Sequence, residues 1–211
     1  MCGIECGISA GSCRAQPLES GVVSAKRQRT FRQAANLGSV LVAWLCVLEF
    51  VDHLLRQQKG LTLDGFGIVP RTVPGLAGIL CSPLLHANFA HLAANAIPLF
   101  VLLTILFWDR RYRPWSTLAS IWLVSGFGTW LIGRGGSVHI GASSIIFGLV
   151  AYLIVAGLLM RSWRSAMIAF LVLLAFGGIF YGVLPQEGPV SWEGHLCGSL
   201  AGVAAAWSNR R

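Results

Sequence analysis

GASSIIFG, residues 141–148, sets a pair of hydroxyls at the head of an apolar run that continues to residue 160. A polar group inside hydrocarbon is expensive, so a serine in that place reads first as part of a site. Two other stretches share the pattern. HANFAHLAAN, residues 86–95, opens an apolar run with two histidines and an asparagine, and SWEGHLCGSLAG, residues 191–202, carries His195 into another.

The runs around these clusters decide the fold class. Of 211 residues 55% are hydrophobic and only 11% charged, which excludes an ordinary soluble domain. Apolar runs at 35–55, 86–107, 114–133, 142–160, 165–184 and 190–207 each approach the roughly 17 to 25 residues that span a bilayer as a helix. They do not alternate as barrel strands do, so an all-α polytopic membrane bundle of six transmembrane helices is expected. The corresponding organisation is a polar cytoplasmic tail over 1–34, a membrane domain over 35–207 and a short cytoplasmic end at 208–211. The tail lacks the apolar core of a signal peptide. Its Cys2, Cys6 and Cys13 have no histidine at zinc-ligand spacing, so it reads as a disordered segment. Cys46, Cys81 and Cys197 stand singly in or beside apolar runs, as small hydrophobes.

The net charge of +8 could suggest nucleic acid. The basic residues instead fall in short clusters between apolar runs, which is a topology signal. With six helices and the N-terminus inside, twelve of the sixteen lysines and arginines lie on the cytoplasmic side. Only Arg56, Lys59, Arg71 and Arg134 remain outside. Trp108, Trp115, Trp163 and Trp207 then mark the inner boundary, with Trp130 and Trp192 at the outer one. Both termini are expected in the cytoplasm.

In this topology the three polar clusters enter their helices from the outer face and meet at one depth. His91 and Asn95, four residues apart, share a helix face, whereas His86 is rotated away at the helix entrance. Ser143 and Phe147 share another face. His195, Gly198 and Gly202 form a stripe whose glycines permit close helix approach. If the fourth run is the neighbour of the sixth, Ser143 and His195 come within hydrogen-bond reach.

A serine hydroxyl needs a base to attack a carbonyl, and an adjacent imidazole can take its proton. His91, Asn95 and the Ser143 backbone N–H at a helix N-terminus could donate to the oxyanion. No carboxylate among Asp52, Asp64, Asp109, Glu187 and Glu193 is expected inside a helix core, and Glu193, two residues from His195, should face elsewhere. A Ser–His dyad follows. Taken singly, each group has a blander reading: a serine bonding back to its own helix, or a histidine satisfying a neighbour. A metal held by His86, His91 and His195 fits poorly, because HANFAH lacks the HExxH arrangement and a carboxylate. A transporter would need ionisable groups along a mid-membrane path, and none is evident. His53 and His139 have no assignable role.

HANFAHLAAN, GASSIIFG and GHLCGSLAG, in this order and on the second, fourth and sixth helices, resemble the rhomboid family of intramembrane serine proteases. The likeness covers the whole core, about residues 35 to 207. It implies Ser143 as nucleophile, His195 as general base, and His91, Asn95 and the Ser143 N–H as the oxyanion hole. It further implies supporting places for His86 and Gly141, Phe147 stacked on the catalytic imidazole, and Gly198 allowing the close helix contact. The implied substrates are transmembrane proteins cut near the outer face of a prokaryotic plasma or inner membrane. No cofactor, metal or nucleic acid is implied. A catalytically impaired relative that binds membrane clients would typically lack the serine or histidine, and both are present. The chain departs from the family pattern at Ser144, where glycine is common, and in lacking a Trp-Arg pair within 56–85. That connection, rich in glycine and proline, reads as a segment lying in the interface. The loop 185–194 reads as a mobile cap leading into His195, and Gly177, Gly178 and Gly182 as places where the fifth helix can move.

Overall fold

A computed structural model describes residues 29–210, so Cys2, Cys6, Cys13 and most of the expected tail lie outside the described residues. Among these residues the chain forms seven α-helices: α1 (Phe31–Lys59), α2 (Val73–Cys81), α3 (Phe89–Trp108), α4 (Pro114–Ile132), α5 (Ser143–Leu159), α6 (Trp163–Phe176) and α7 (Trp192–Asn209). The class is all-α, and the protein is a multi-pass helical membrane protein. Four segments are long and apolar enough to cross a bilayer by length and composition: Phe31–Lys59, Phe89–Trp108, Arg110–Ile132 and Trp163–Val183. The other two expected spans, α5 and α7, are shorter or less apolar. They can be, because they lie at the centre and meet protein more than lipid.

The boundaries follow from capping chemistry that hydropathy alone does not register. Thr30 and Gln33 form a capping box, with the threonine hydroxyl accepting from Gln33 N at 3.2 Å. Helix α1 therefore starts four residues before the expected 35. It stops at Gly60, whose φ of 63° closes a left-handed cap. Asn88 caps α3 by accepting from His91 N at 2.9 Å, which leaves His86 in the preceding turn rather than on the helix. The fifth run is α-helical only to Phe176, and residues Gly177–Val183 tighten into a 3-10 helix.

The connection 56–85 holds a short α-helix and two 3-10 turns. Thr72 and Pro74 start α2, which packs along α4. The indole N–H of Trp122 donates to Ile79 O at 2.8 Å, and that of Trp130 to Thr72 O at 2.8 Å. A short antiparallel bridge joins Ile68 to His139, with N···O distances of 3.0 and 2.9 Å. This segment is thus pinned to the loop that leads into α5.

Helix α5 is the hub, packed against α3, α4, α6 and α7, with Leu149, Val150, Tyr152 and Leu153 fully buried. Helix α1 lies on α3, where Gly38 meets Thr104 and the Phe100 carbonyl. Large apolar side chains on α1 and α6, such as Trp44, Phe50, Phe170 and Leu174, point outward. In a membrane protein such faces meet lipid.

The seam between α5 and α7 is set by glycine. A Cβ at Gly198 would lie 2.1 Å from Ser144 O, and one at Gly202 would lie 2.0 Å from Gly148 O. Neither backbone oxygen can move aside. Gly202→Val is expected to force α5 and α7 apart at a cost of about 3 kcal/mol or more. Gly178→Ala, where a Cβ meets nothing within 4 Å, should be tolerated. Thermal unfolding of both variants in detergent checks this, and equal melting points would refute it.

The expectation that none of Asp52, Asp64, Asp109, Glu187 and Glu193 lies inside a helix core is overturned for Asp52 of α1 and Glu193 of α7, and Glu49 of α1, outside that set, is buried too. Asp52 is satisfied by an ion pair with Arg56 and by the Leu63 N–H at 2.5 Å. Arg56 also binds Asp64 and donates to Ala87 O at 2.6 Å, which ties α1 to the turn preceding α3. Helical spacing can suggest the Asp52–Arg56 pair, four residues apart, but not the Leu63 and Ala87 contacts, which lie 11 and 31 residues away.

Candidate active site

Gly141 sits at φ 112°, a conformation that favours glycine, and its N–H donates to Ser82 O at 2.8 Å. That turn releases the chain into α5 with Ser143 as the first helical residue. On the facing helix, the Gly198 and Gly202 contact brings α7 close enough for His195 to reach it. The distance from His195 Nε2 to Ser143 Oγ is 3.0 Å.

The other imidazole nitrogen settles which atom carries the proton. His195 Nδ1 lies 2.9 Å from the Gly182 carbonyl, which can only accept. Nδ1 therefore holds the hydrogen, and Nε2 presents its lone pair to the serine hydroxyl. The Phe147 ring stacks on the imidazole, with centroids 4.1 Å apart and planes 8° from parallel. His195 is thus held from its Nδ1 edge and across its face. The carbonyl of Gly182 comes from the 3-10 segment, and no side-chain pattern in the sequence could have pointed to it.

His91 and Asn95 project from the first turns of α3 toward the same place. The Ala87 N–H approaches His91 Nδ1 at 3.4 Å, which leaves a hydrogen on Nε2 of the neutral ring. Asn95 Nδ2 donates one hydrogen to His91 O at 3.0 Å and keeps the other. A Cβ on Gly141 would sit 2.7 to 2.8 Å from the His91 ring and 3.9 Å from Asn95 Nδ2, so only glycine lets these donors crowd the head of α5. His86, fully buried, packs edge-on against His91 with centroids 5.1 Å apart, and its Nε2 lies 3.5 Å from the Ala142 N–H. Its Nδ1 has no hydrogen-bond partner among the described residues.

A cavity of about 690 Å³ opens over this group and is lined by His91, Asn95, Ser143 and His195. Its size is within the range of ligand-binding clefts. Ser144 does not line it. Ser144 borders only a smaller void of about 20 Å³ beside Ser82 and Thr129, which Ser143 also lines and which has room for one water.

The rim holds residues that the sequence left without a role. Arg134 lies 2.8 Å from Glu193 Oε1 through Nε, and its guanidinium donates to Gly188 O at 3.2 Å and Val190 O at 2.5 Å. The 185–190 loop is thereby strapped to the start of α7 and to the loop before α5. Glu193 faces away from His195, as its spacing implies. His139 places its two nitrogens 2.6 Å from Ser191 Oγ and 3.2 Å from Ser137 Oγ. Burial pushes this imidazole below its ordinary pKa even though Glu193 pulls the other way. His139 thus joins the same two loops. Of the five histidines, only His53 stays apart, bonded to Gln57 at 3.0 Å.

A family model for the rhomboid domain matches residues 75–211. Uncharacterized proteins of Mycobacterium tuberculosis and Mycobacterium bovis are 44% identical over 190 residues, covering 85% of this chain and 78% of each relative. An uncharacterized protein of Mycobacterium leprae is 42% identical over 175 residues, covering 79% of this chain and 67% of its own. No solved structure shows a significant match. The domain match spans every element that carries the serine, histidine and asparagine cluster, and the chain belongs to the rhomboid family.

Proposed function

We propose that this protein is an intramembrane serine endopeptidase that cleaves transmembrane protein substrates with a Ser143–His195 dyad. The observation that carries the reading is the 3.0 Å contact between Ser143 Oγ and His195 Nε2, on an imidazole whose Nδ1 hydrogen is engaged by Gly182 O. Membership of a family of intramembrane proteases supports it.

In this mechanism Ser143 Oγ attacks the scissile carbonyl carbon while His195 Nε2 takes the hydroxyl proton. The resulting oxyanion receives hydrogen bonds from His91 Nε2, Asn95 Nδ2 and the Ser143 N–H. The imidazolium then returns its proton to the leaving amine as the C–N bond breaks, leaving an acyl ester on Ser143. A water molecule, deprotonated by the same imidazole, attacks the ester and regenerates the hydroxyl. Phe147 and Gly182 keep the ring in register, while His86 supports His91 and the turn at Ala142. The substrate must present an extended strand, since a helix ties up its carbonyls internally. Small or helix-weakening residues near the cut therefore favour cleavage.

Labelling with a fluorophosphonate tests the serine. The purified protein should be modified on Ser143, and labelling should vanish in His195→Ala. A folded protein that resists the probe and cuts no single-span substrate would instead be a client-binding member of the family. The basic-residue asymmetry supports a topology with both termini in the cytoplasm and the dyad toward the outer face. An alkaline phosphatase fusion after residue 209 should be inactive, and high phosphatase activity would reverse the topology.

A further inference from the structure

The end of the bundle away from Ser143 holds a second cavity, of about 880 Å³. Three separate parts of the chain build it. The α3–α4 turn contributes Arg110 and Arg113, the α5–α6 turn Arg161, and the end of α7 Arg210, beside Leu158 and Leu159 from the last turn of α5. None of these four arginines has a carboxylate partner among the described residues, and no carboxylate lines the cavity. Arg111 is different. It is bound to Asp109 at 2.7 Å, and although burial alone would raise that carboxyl, the hydrogen bonds from Arg111 hold it below its ordinary pKa.

The charge balance favours an anion. Helices α3, α5 and α7 all end here, and their C-terminal dipoles amount to about −0.5 each. Four full guanidinium charges exceed that sum.

The cavity also has a fixed floor. Asn209 Nδ2 donates to Thr117 Oγ1 at 2.9 Å and to Tyr152 Oη at 3.3 Å, while Tyr152 Oη donates to Tyr112 O at 2.7 Å. This network joins α4, α5, α7 and the α3–α4 turn beneath the arginines. Arg113 and Arg161 stand in the left-handed region, at φ 45° and 47°. The turns that present them are therefore specific shapes rather than slack connections. A topology signal needs positive charge on one side of the membrane, but it needs neither convergence nor a cavity.

We propose that this cavity binds a phosphate group, carried by an anionic phospholipid. Guanidinium forks match phosphate oxygens, and arginine keeps its charge at any relevant pH. The lipid source is favoured by the apolar wall, because Leu158 is 70% exposed beside the arginines and suits the glycerol and acyl portion of a lipid. Basic pockets between transmembrane helices bind such headgroups. A bound lipid would brace the ends of α5 and α7, the two helices whose other ends carry Ser143 and His195.

The test is thermal unfolding of the full chain in detergent micelles containing dioleoyl phosphatidylglycerol, dioleoyl phosphatidylcholine or inorganic phosphate at matched concentration. Phosphatidylglycerol should raise the melting point by several degrees, and phosphatidylcholine should not. The variant Arg110→Gln/Arg113→Asn/Arg161→Asn, with asparagine at the two left-handed positions because it tolerates them, should lose the rise. Arg32→Gln/Arg164→Gln, which removes charge outside the cavity, should keep it. An equal rise with phosphatidylcholine, or an undiminished rise in the cavity variant, overturns the proposal. A full rise with inorganic phosphate alone assigns the site to a soluble anion and overturns the lipid source. If the cavity variant does not fold, native mass spectrometry of the wild-type protein decides. Retention of phosphatidylglycerol over phosphatidylcholine supports the site, and equal retention defeats it.

Discussion

Ser143→Ala and His195→Ala are each expected to lower the rate of substrate cleavage by about five to six orders of magnitude, and the double variant to be scarcely slower than either. The reason is that the two side chains act as one unit: a hydroxyl without its base and a base without its hydroxyl are equally idle. Ser144→Ala should retain both cleavage and probe labelling. Adjacent helical residues point about 100° apart, and of the two serines, which both border the 20 Å³ void, Ser143 alone also borders the 690 Å³ cavity. The measurement is cleavage of a single-span substrate by each variant at matched melting temperature. Loss confined to Ser144→Ala would transfer the role, and survival of both serine variants would end the case for serine catalysis.

Asn95→Ala is expected to cost about 10² to 10³ in kcat while leaving substrate binding nearly unchanged, because its free amide hydrogen acts on charge that exists only after attack. His91→Ala should match or exceed that loss, since it removes a donor and also the ring that packs against Gly141 and His86. Gly141→Ala approaches the same defect from the other side. Its Cβ would meet the His91 ring at 2.7 Å, at a φ of 112° that alanine resists. Steady-state kinetics separates these outcomes. An Asn95→Ala enzyme with unchanged kcat and a raised KM would assign the amide to ground-state binding and refute its role at the oxyanion.

What could be read from the sequence was whatever the chain states locally. The hydroxyl at the head of an apolar run, the four-residue spacing of His91 and Asn95, and the glycine stripe after His195 are each determined within one helix, so periodicity exposes them. What could not be read depends on partners from elsewhere. Asp52 looks like an interruption of α1 until the Leu63 N–H is seen against it, beside the local pair with Arg56 four residues on. Glu193 looks like a solvent-facing acid until Arg134 arrives from 59 residues away. Helix α2 was hidden by its glycines and proline, which argue for a loop, although Gly75 and Gly78 are there because Val69 and Gly67 backbone passes too close for a side chain. The early start of α1 was legible in principle, since threonine followed by glutamine three residues later is a capping signature. Hydropathy at that point favoured a later start.

The 3-10 turn at the end of α6 links two events usually considered apart. The segment Trp163–Val183 is the least embedded of the four long apolar segments, and the 3-10 turn that ends it carries the Gly182 carbonyl. If α6 swings outward, that carbonyl leaves with it, and the imidazole proton is free to migrate from Nδ1 to Nε2. The histidine then offers a hydrogen where it should offer a lone pair. In the proposed mechanism, then, the position of this wall and the readiness of the base would be coupled through one hydrogen bond, that between His195 Nδ1 and Gly182 O.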